Sequence, residues 1–276
     1  MVNRRLLISN YNIAFNKKLK TKYMKTIKNV LLLGSLLIAG VTSAQETETR
    51  KVSAFSKLEI GGSFDAVLRQ GNETSVKITA ENIDTKKILT ESDGNTLQVS
   101  LEKGYYHNIR IKVEVTYKSL DAIDKSGSGN LSCESDLSSA GDFDLNSSGS
   151  GNITIKGKIK AAGQASISRS GSGNMKLTGL QAEGIHMNFS GSGNFSVDEG
   201  NAKTQTIHLN GSGNVSAYGL KTETCSAVVS GSGDIEVSVS SSLEAQITGS
   251  GNIDYRGDAQ MKKIEVHGSG RIDKKG

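Results

Sequence analysis

The chain has 276 residues, with 33 basic and 28 acidic side chains, 32 glycines, two cysteines, no proline and no tryptophan. Eight of the basic residues and none of the acids precede Gln45, so the remainder carries 25 basic against 28 acidic groups, a net of −3. That balance gives no electrostatic support for nucleic-acid binding, and two cysteines four repeats apart cannot form a disulfide framework.

Residues 1–44 are expected to lie outside the fold. Met24-Lys25-Thr26-Ile27-Lys28 is a basic stretch, Val30 to Val41 a short apolar core, and Thr42-Ser43-Ala44 a small-residue cleavage site before Gln45. Twelve residues are too few to span a bilayer comfortably, so this is the pattern of a secretory signal peptide. Residues 1–23 form an upstream extension, which leaves Met1 and Met24 both open as starts. The cleavage site has no cysteine for a lipoprotein anchor, and no other long apolar run comes after it, so no transmembrane helix is expected in the mature chain.

Residues 45–124 are expected to form an N-terminal β region. Period-two alternation appears at Phe55–Ile60, Phe64–Leu68, Ser75–Thr79, Thr96–Leu101 and Asn108–Tyr117, the mark of half-buried strands. Turns fall at Gly61-Gly62, Gly71-Asn72 and Asp93-Gly94-Asn95, and Asp84–Leu89 has room for one helical turn. These less regular strands are assigned to cap the N-terminal end of the repeats that begin near residue 125, because an uncovered sheet edge invites aggregation. At the other end Arg271, Lys274 and Lys275 supply charge that can blunt the edge.

From residue 125 to 276 one phrase organises the chain. Gly-Ser-Gly occurs eight times, with glycines at Gly127 and Gly129, Gly149 and Gly151, Gly171 and Gly173, Gly191 and Gly193, Gly211 and Gly213, Gly231 and Gly233, Gly249 and Gly251, and Gly268 and Gly270. Successive copies are 22, 22, 20, 20, 20, 18 and 19 residues apart. A fixed glycine corner at a period near 20 is the signature of a solenoid. Each corner is followed by Asn or Asp in seven of the eight copies, then by alternating apolar residues such as Ile153 and Ile155 or Phe195 and Val197. Before each corner a second strand places Ile123, Leu145, Ile167, Met187, Ile207, Ala227, Ala245 and Ile264 four residues ahead of the first glycine. A short third segment carries Ile159, Leu180 and Leu220. The expected fold is therefore an all-β, right-handed parallel β-helix of about eight ~20-residue coils, since parallel crossovers are almost always right-handed.

Glycine suits such corners because it adopts positive φ without strain, and stacked asparagines can bond to one another along the rod. The inner row two residues before the corner is apolar from Phe189 onward but broken by Ser147 and Arg169. A shifted inner face is expected there, with Phe143 and Ala165 compensating. Cys133 falls on an inward position, and Cys225 is assigned outward.

The S-G-S-G-N-φ-x-φ units from Ser126 onward, with the lead-in Phe55–Gly62 and Phe64-Asp65-Ala66-Val67, resemble the head GIN domain family of auto-transporter adhesin-like proteins. The resemblance covers roughly residues 52–272. It implies a right-handed β-helix on a secreted or surface-exposed bacterial protein, and it supplies no functional residues.

Chemistry is sparse. His186 and His208 point outward on neighbouring coils but two residues out of register, about 8 Å apart, too far to share a metal directly. Tyr105-Tyr106, beside His107, is the only aromatic cluster, either folded back on the core or free to meet a glycan or protein partner. Calcium repeats of the nonapeptide kind need aspartates and a glycine doublet that this motif lacks. One column of like charge stands out: Glu236, Asp254 and Asp273 fall at one register on successive coils. The expected reading is a salt-bridged surface offset by Arg256 and Lys274, and a weak Ca²⁺ site is the sharper alternative. No cofactor and no catalytic residue is assigned. The expected function is a non-enzymatic adhesin-like or envelope-associated module, exported to the periplasm, cell surface or medium, with a glycan or surface protein as partner. A polysaccharide-binding or polysaccharide-cleaving protein and a purely structural rod are the rivals.

Overall fold

The computed structural model describes residues 45–276, which form one compact unit. The expected leader lies outside the described residues.

All regular structure in the unit is β except one turn of 3-10 helix, Thr85–Lys87, capped by the Asp84 side chain. Coils stack in parallel, each strand pairing with its counterpart about one repeat later. The strand Asp65–Gln70 pairs with Leu131–Cys133, which pairs with Ile153–Ala161, and so on to Ile272–Lys274. A second sheet runs from Lys57–Gly61 through Ala122–Ser126 and Phe143–Ser148 to Gln260–Gly268. A short third segment puts Leu137, Ile159 and Leu180 in one buried column. The result is the expected β-solenoid. Its inward rows close into one core because each rung presents an apolar side chain where the rung below does.

The two glycines of each corner serve different purposes. The first adopts positive φ in every copy, from 91° at Gly127 to 136° at Gly268. The second has ordinary φ, but a Cβ there would overlap the carbonyl oxygen of the second glycine one coil below. Stacked corners thus approach more closely than any side chain allows.

The asparagine ladder is real, but it bonds chiefly to backbone. Asp65 Oδ1 accepts the Asn130 N–H, Asn130 Oδ1 accepts that of Asn152, and the chain continues through Asn174, Asn194, Asn214, Asp234 and Asn252, seven bonds of 2.8–3.0 Å. Each side chain therefore fastens one corner to the next.

The ladder begins at Asp65, inside the expected cap. Leu58 sits beside Ile123 and Ala66 beside Leu131, so residues 57–70 are a further solenoid coil. Its corner reads Gly62-Ser63-Phe64-Asp65. Phe64 holds the second-glycine place, and Gly129 of the next coil stacks on its carbonyl. Thr96–Leu101 and Arg110–Tyr117 stack parallel on that coil as one more rung, and beyond them the strands reverse: Ser75–Glu81 runs antiparallel to both Gln45–Lys51 and Arg110–Tyr117, and Ile88–Asp93 antiparallel to Thr96–Leu101. These antiparallel strands, with Phe55, Ile88 and Leu120 buried beneath them, cover that end of the rod.

Two expectations about the interior are corrected. The inner face does not shift at the early coils: Ser147 pairs with Lys125 on one side and Arg169 on the other, in the column that continues as Phe189 and Leu209. All three polar side chains point inward and are buried. Phe143 and Ala165 belong to a row present in later coils too, as Ile185, Gln205, Cys225 and Leu243. Cys225 is consequently buried rather than outward, because alternation carries back unbroken from Val229 and Ala227. Its burial pushes the thiol pKa up to about 12. Cys133 lies inward as expected, 3.4 Å from the Tyr117 hydroxyl.

Candidate ligand-binding groove

The outer face of the second sheet carries a groove of about 470 Å³ that crosses successive rungs. Alternation fixes its lining. The residue just before each first glycine and the residue three before it both point out. They give two parallel rows, Ser126, Ser148, Ser170 and Ser190 in one and Asp124, Asn146, Ser168 and Asn188 in the other. Rungs repeat at about 4.8 Å, so a serine hydroxyl is offered on every rung along the rod, with a second polar group, carboxylate, amide or hydroxyl, beside it. Neighbours are linked: Asn146 Nδ2 donates to Asp124 Oδ1 at 2.8 Å. At one end Lys57 Nζ lies 3.1 Å from both Glu59 and Asp124, and His208 lines the other.

Two cations lie behind this wall, on the inward side. Lys125 Nζ donates to the Gly127 carbonyl at 2.8 Å, while Arg169 has Nε and Nη1 without a hydrogen-bond partner. Burial lowers both pKa values. The space for these long side chains comes from the second glycines, since a Cβ at Gly151 would meet Lys125 and one at Gly193 would meet Arg169. Sequence alone shows only an interrupted apolar row here; the signal that these positions still face inward is the unbroken alternation around them.

Glu236, Asp254 and Asp273, singled out from the sequence, do share one register on successive rungs. The cations beside them differ from those expected. Lys275 Nζ lies 3.4 Å from Asp254 and 3.6 Å from Asp273, Arg271 Nε lies 3.0 Å from Asp273, and Glu236 accepts the Ser216 hydroxyl. Arg256 instead stacks over the Tyr218 ring at 4.1 Å, and Lys274 pairs with Asp258. His186 aligns with Thr206 and His208 with Asn188, which confirms the two-residue offset. The tyrosine pair divides: Tyr106 turns back, its hydroxyl donating to the Glu102 carbonyl at 2.9 Å, whereas Tyr105 is fully exposed. Among the described residues no helix is long and apolar enough to cross a membrane.

Stacked parallel coils, glycine corners and a polar side wall define a parallel β-solenoid. The chain belongs to the family described as "Putative auto-transporter adhesin, head GIN domain", whose profile matches residues 54–259. No curated protein matches the sequence. Solved structures share the fold. One from Parabacteroides distasonis, described as a "putative adhesin", is 23% identical with a TM-score of 0.78, covering 85% of this chain and 98% of its own. One from Parabacteroides merdae, of the same description, is 21% identical with the same score and coverage. A second P. distasonis structure, described as a "putative lipid binding protein", is 24% identical with a TM-score of 0.75, again covering 85% and 98%.

Proposed function

We propose that the protein is an exported, non-enzymatic binding module that holds an extended glycan chain along the serine–asparagine groove. The observation that carries this reading is the repetition of outward hydroxyl and amide groups over successive rungs. A polymer laid along the rod meets a serine hydroxyl and a neighbouring polar side chain at each step, so many weak bonds add without any one dominating. Family membership supports a surface role. The non-enzymatic part rests on the groove's chemistry. None of its hydroxyls hydrogen-bonds a base among the described residues, and its acids, Glu59 and Asp124, both pair with Lys57. A nucleophile or acid–base pair needs partners that meet.

A glycan array probed with the purified protein tests the proposal. Ser168→Tyr and Ser170→Tyr fill the groove from outward positions and should abolish binding while leaving the melting temperature unchanged. Equal binding by these variants would refute the groove as the site. Release of new reducing ends from a bound polysaccharide would favour the cleaving rival.

A further inference from the structure

The two ends of the rod are finished differently. At the N-terminal end antiparallel strands cover the core. At the C-terminal end the last rung, Gln260–Gly268 with Ile272–Lys274, keeps Met261, Ile264 and Val266 at the inward register with a bulge at Lys262, and among the described residues nothing lies over it. Ala245 and Ile247 are 3% and 0% exposed, while their neighbours one rung on, Ile264 and Val266, are 41% and 40% exposed. Met261 is 44% exposed where Leu243 beside it is 0%. The open core is thus bounded by a strand whose outer edge of N–H and C=O groups is unpaired, the usual template for adding another strand.

Charge at this edge favours one occupant. Lys263 and Glu265 point outward and pair on their own strand at 3.4 Å. Were a second Gln260–Gly268 strand to lie antiparallel and centred on Ile264, each Lys263 would face the second copy's Glu265, and Ile264 would face its own equivalent. Ile264 stays inward in both copies over the stretch Lys263–Glu265, and the bulge at Lys262, which sets Met261 beside Leu243 but Lys263 beside Glu244, ends the matched stretch on that side. Centring on Glu265 instead would oppose two glutamates, which is unfavourable. The centre of the edge strand, Lys263–Glu265, is therefore self-complementary in one register.

We infer that the protein forms an isologous, tail-to-tail dimer through its last rung, joining the second sheets of two copies into one continuous sheet. Closed two-fold contacts of this kind are the commonest form of self-association. Residues 256–276 hold six cations against three acids, so the two ends repel at long range, and salt that screens this repulsion strengthens the dimer. The contact is a single strand and the end of one core, which places it among the weaker interfaces, with Kd on the order of 10 μM.

Sedimentation equilibrium and light scattering of the purified protein, across that concentration range and at low and high NaCl, test the inference. The expected result is a monomer–dimer equilibrium that shifts toward dimer with salt. Lys263→Glu should lower the dimer fraction about tenfold in Kd, for a loss of about 1.4 kcal/mol, and the exchange Lys263→Glu with Glu265→Lys should restore it. Ile264→Cys should give a disulfide-linked dimer under mild oxidation, because the two-fold axis brings that position against itself, and Val266→Cys should not. A protein that stays monomeric at every concentration and salt level overturns the inference. So does a dimer indifferent to the charge reversal, or one cross-linked through position 266 rather than 264.

Discussion

Gly213→Ala is the smallest change that tests how the corners are built. Gly213 has ordinary φ, so the backbone itself tolerates alanine. The added methyl would be driven into the Gly193 carbonyl of the coil below. Relief requires the coils to part locally, and the bonds at risk are Gly213 N–H to Gly191 O at 3.2 Å and Asn214 N–H to Asn194 Oδ1 at 3.0 Å. Overpacking of this kind costs about 1–3 kcal/mol, and each weakened hydrogen bond adds about 1 kcal/mol. The expected total is about 3–5 kcal/mol, which for a unit of this size lowers the melting temperature by about 6–20 °C. Gly211→Val should cost at least as much, since Gly211 sits at φ 132° and also stacks on a carbonyl. Ser212→Ala, between them and exposed, should stay within about 0.5 kcal/mol of the parent. Thermal unfolding followed by far-UV circular dichroism decides the matter. If Gly213→Ala melts with Ser212→Ala, close stacking of corners is not what the second glycine provides.

Three further outcomes are expected. Millimolar Ca²⁺ in low salt should leave the melting temperature unchanged, and Asp254→Ala should alter that null response in no way, because Lys275 already lies between Asp254 and Asp273; a rise that Asp254→Ala removes would establish a cation site instead. Stability should fall as pH climbs from about 8.5, where an exposed thiol titrates, toward 12. Cys225 keeps its proton to about 12 in the folded state, and burial raises Cys133 and Tyr117 in the same direction, so unfolding releases protons above pH 9 and the native state loses ground. Cys225→Ala should flatten that loss, and a maleimide at neutral pH should label neither cysteine until denaturant is added; prompt labelling of the native protein would contradict the burial. Mass spectrometry of protein recovered outside the cytoplasm should give Gln45 as the first residue, and an intact Met1 or Met24 would count against export.

Much of the architecture was legible because it repeats. A corner that recurs near every 20 residues, with period-two alternation on both sides, admits one stacking solution, and the sheet registers obey it rung by rung. The positive φ of the first glycines and the register of Glu236, Asp254 and Asp273 came from the same count. Other features stayed hidden for physical reasons. The coil at residues 57–70 escaped a search for Gly-Ser-Gly because Phe64 stands where later coils need glycine. A side chain fits there since the rung beneath, Thr96–Leu101 with Arg110–Tyr117, has no Gly-Ser-Gly corner, and only the stack reveals the order of the coils. Lys125, Ser147 and Arg169 looked like a break in an apolar row, because composition cannot show that the next coil's missing Cβ leaves space for a long side chain to lie inside. Ion pairing was decided by reach in space: Lys275, not Arg256 or Lys274, meets the acidic column. The open C-terminal rung repeats the inward positions of earlier rungs apart from a bulge at Lys262, and only the fold shows that no described residue lies above it. Sequence thus determined the period and the direction each residue points, since both are local properties of a strand. Tertiary structure decided what each residue touches, because that depends on which coil is stacked above and below.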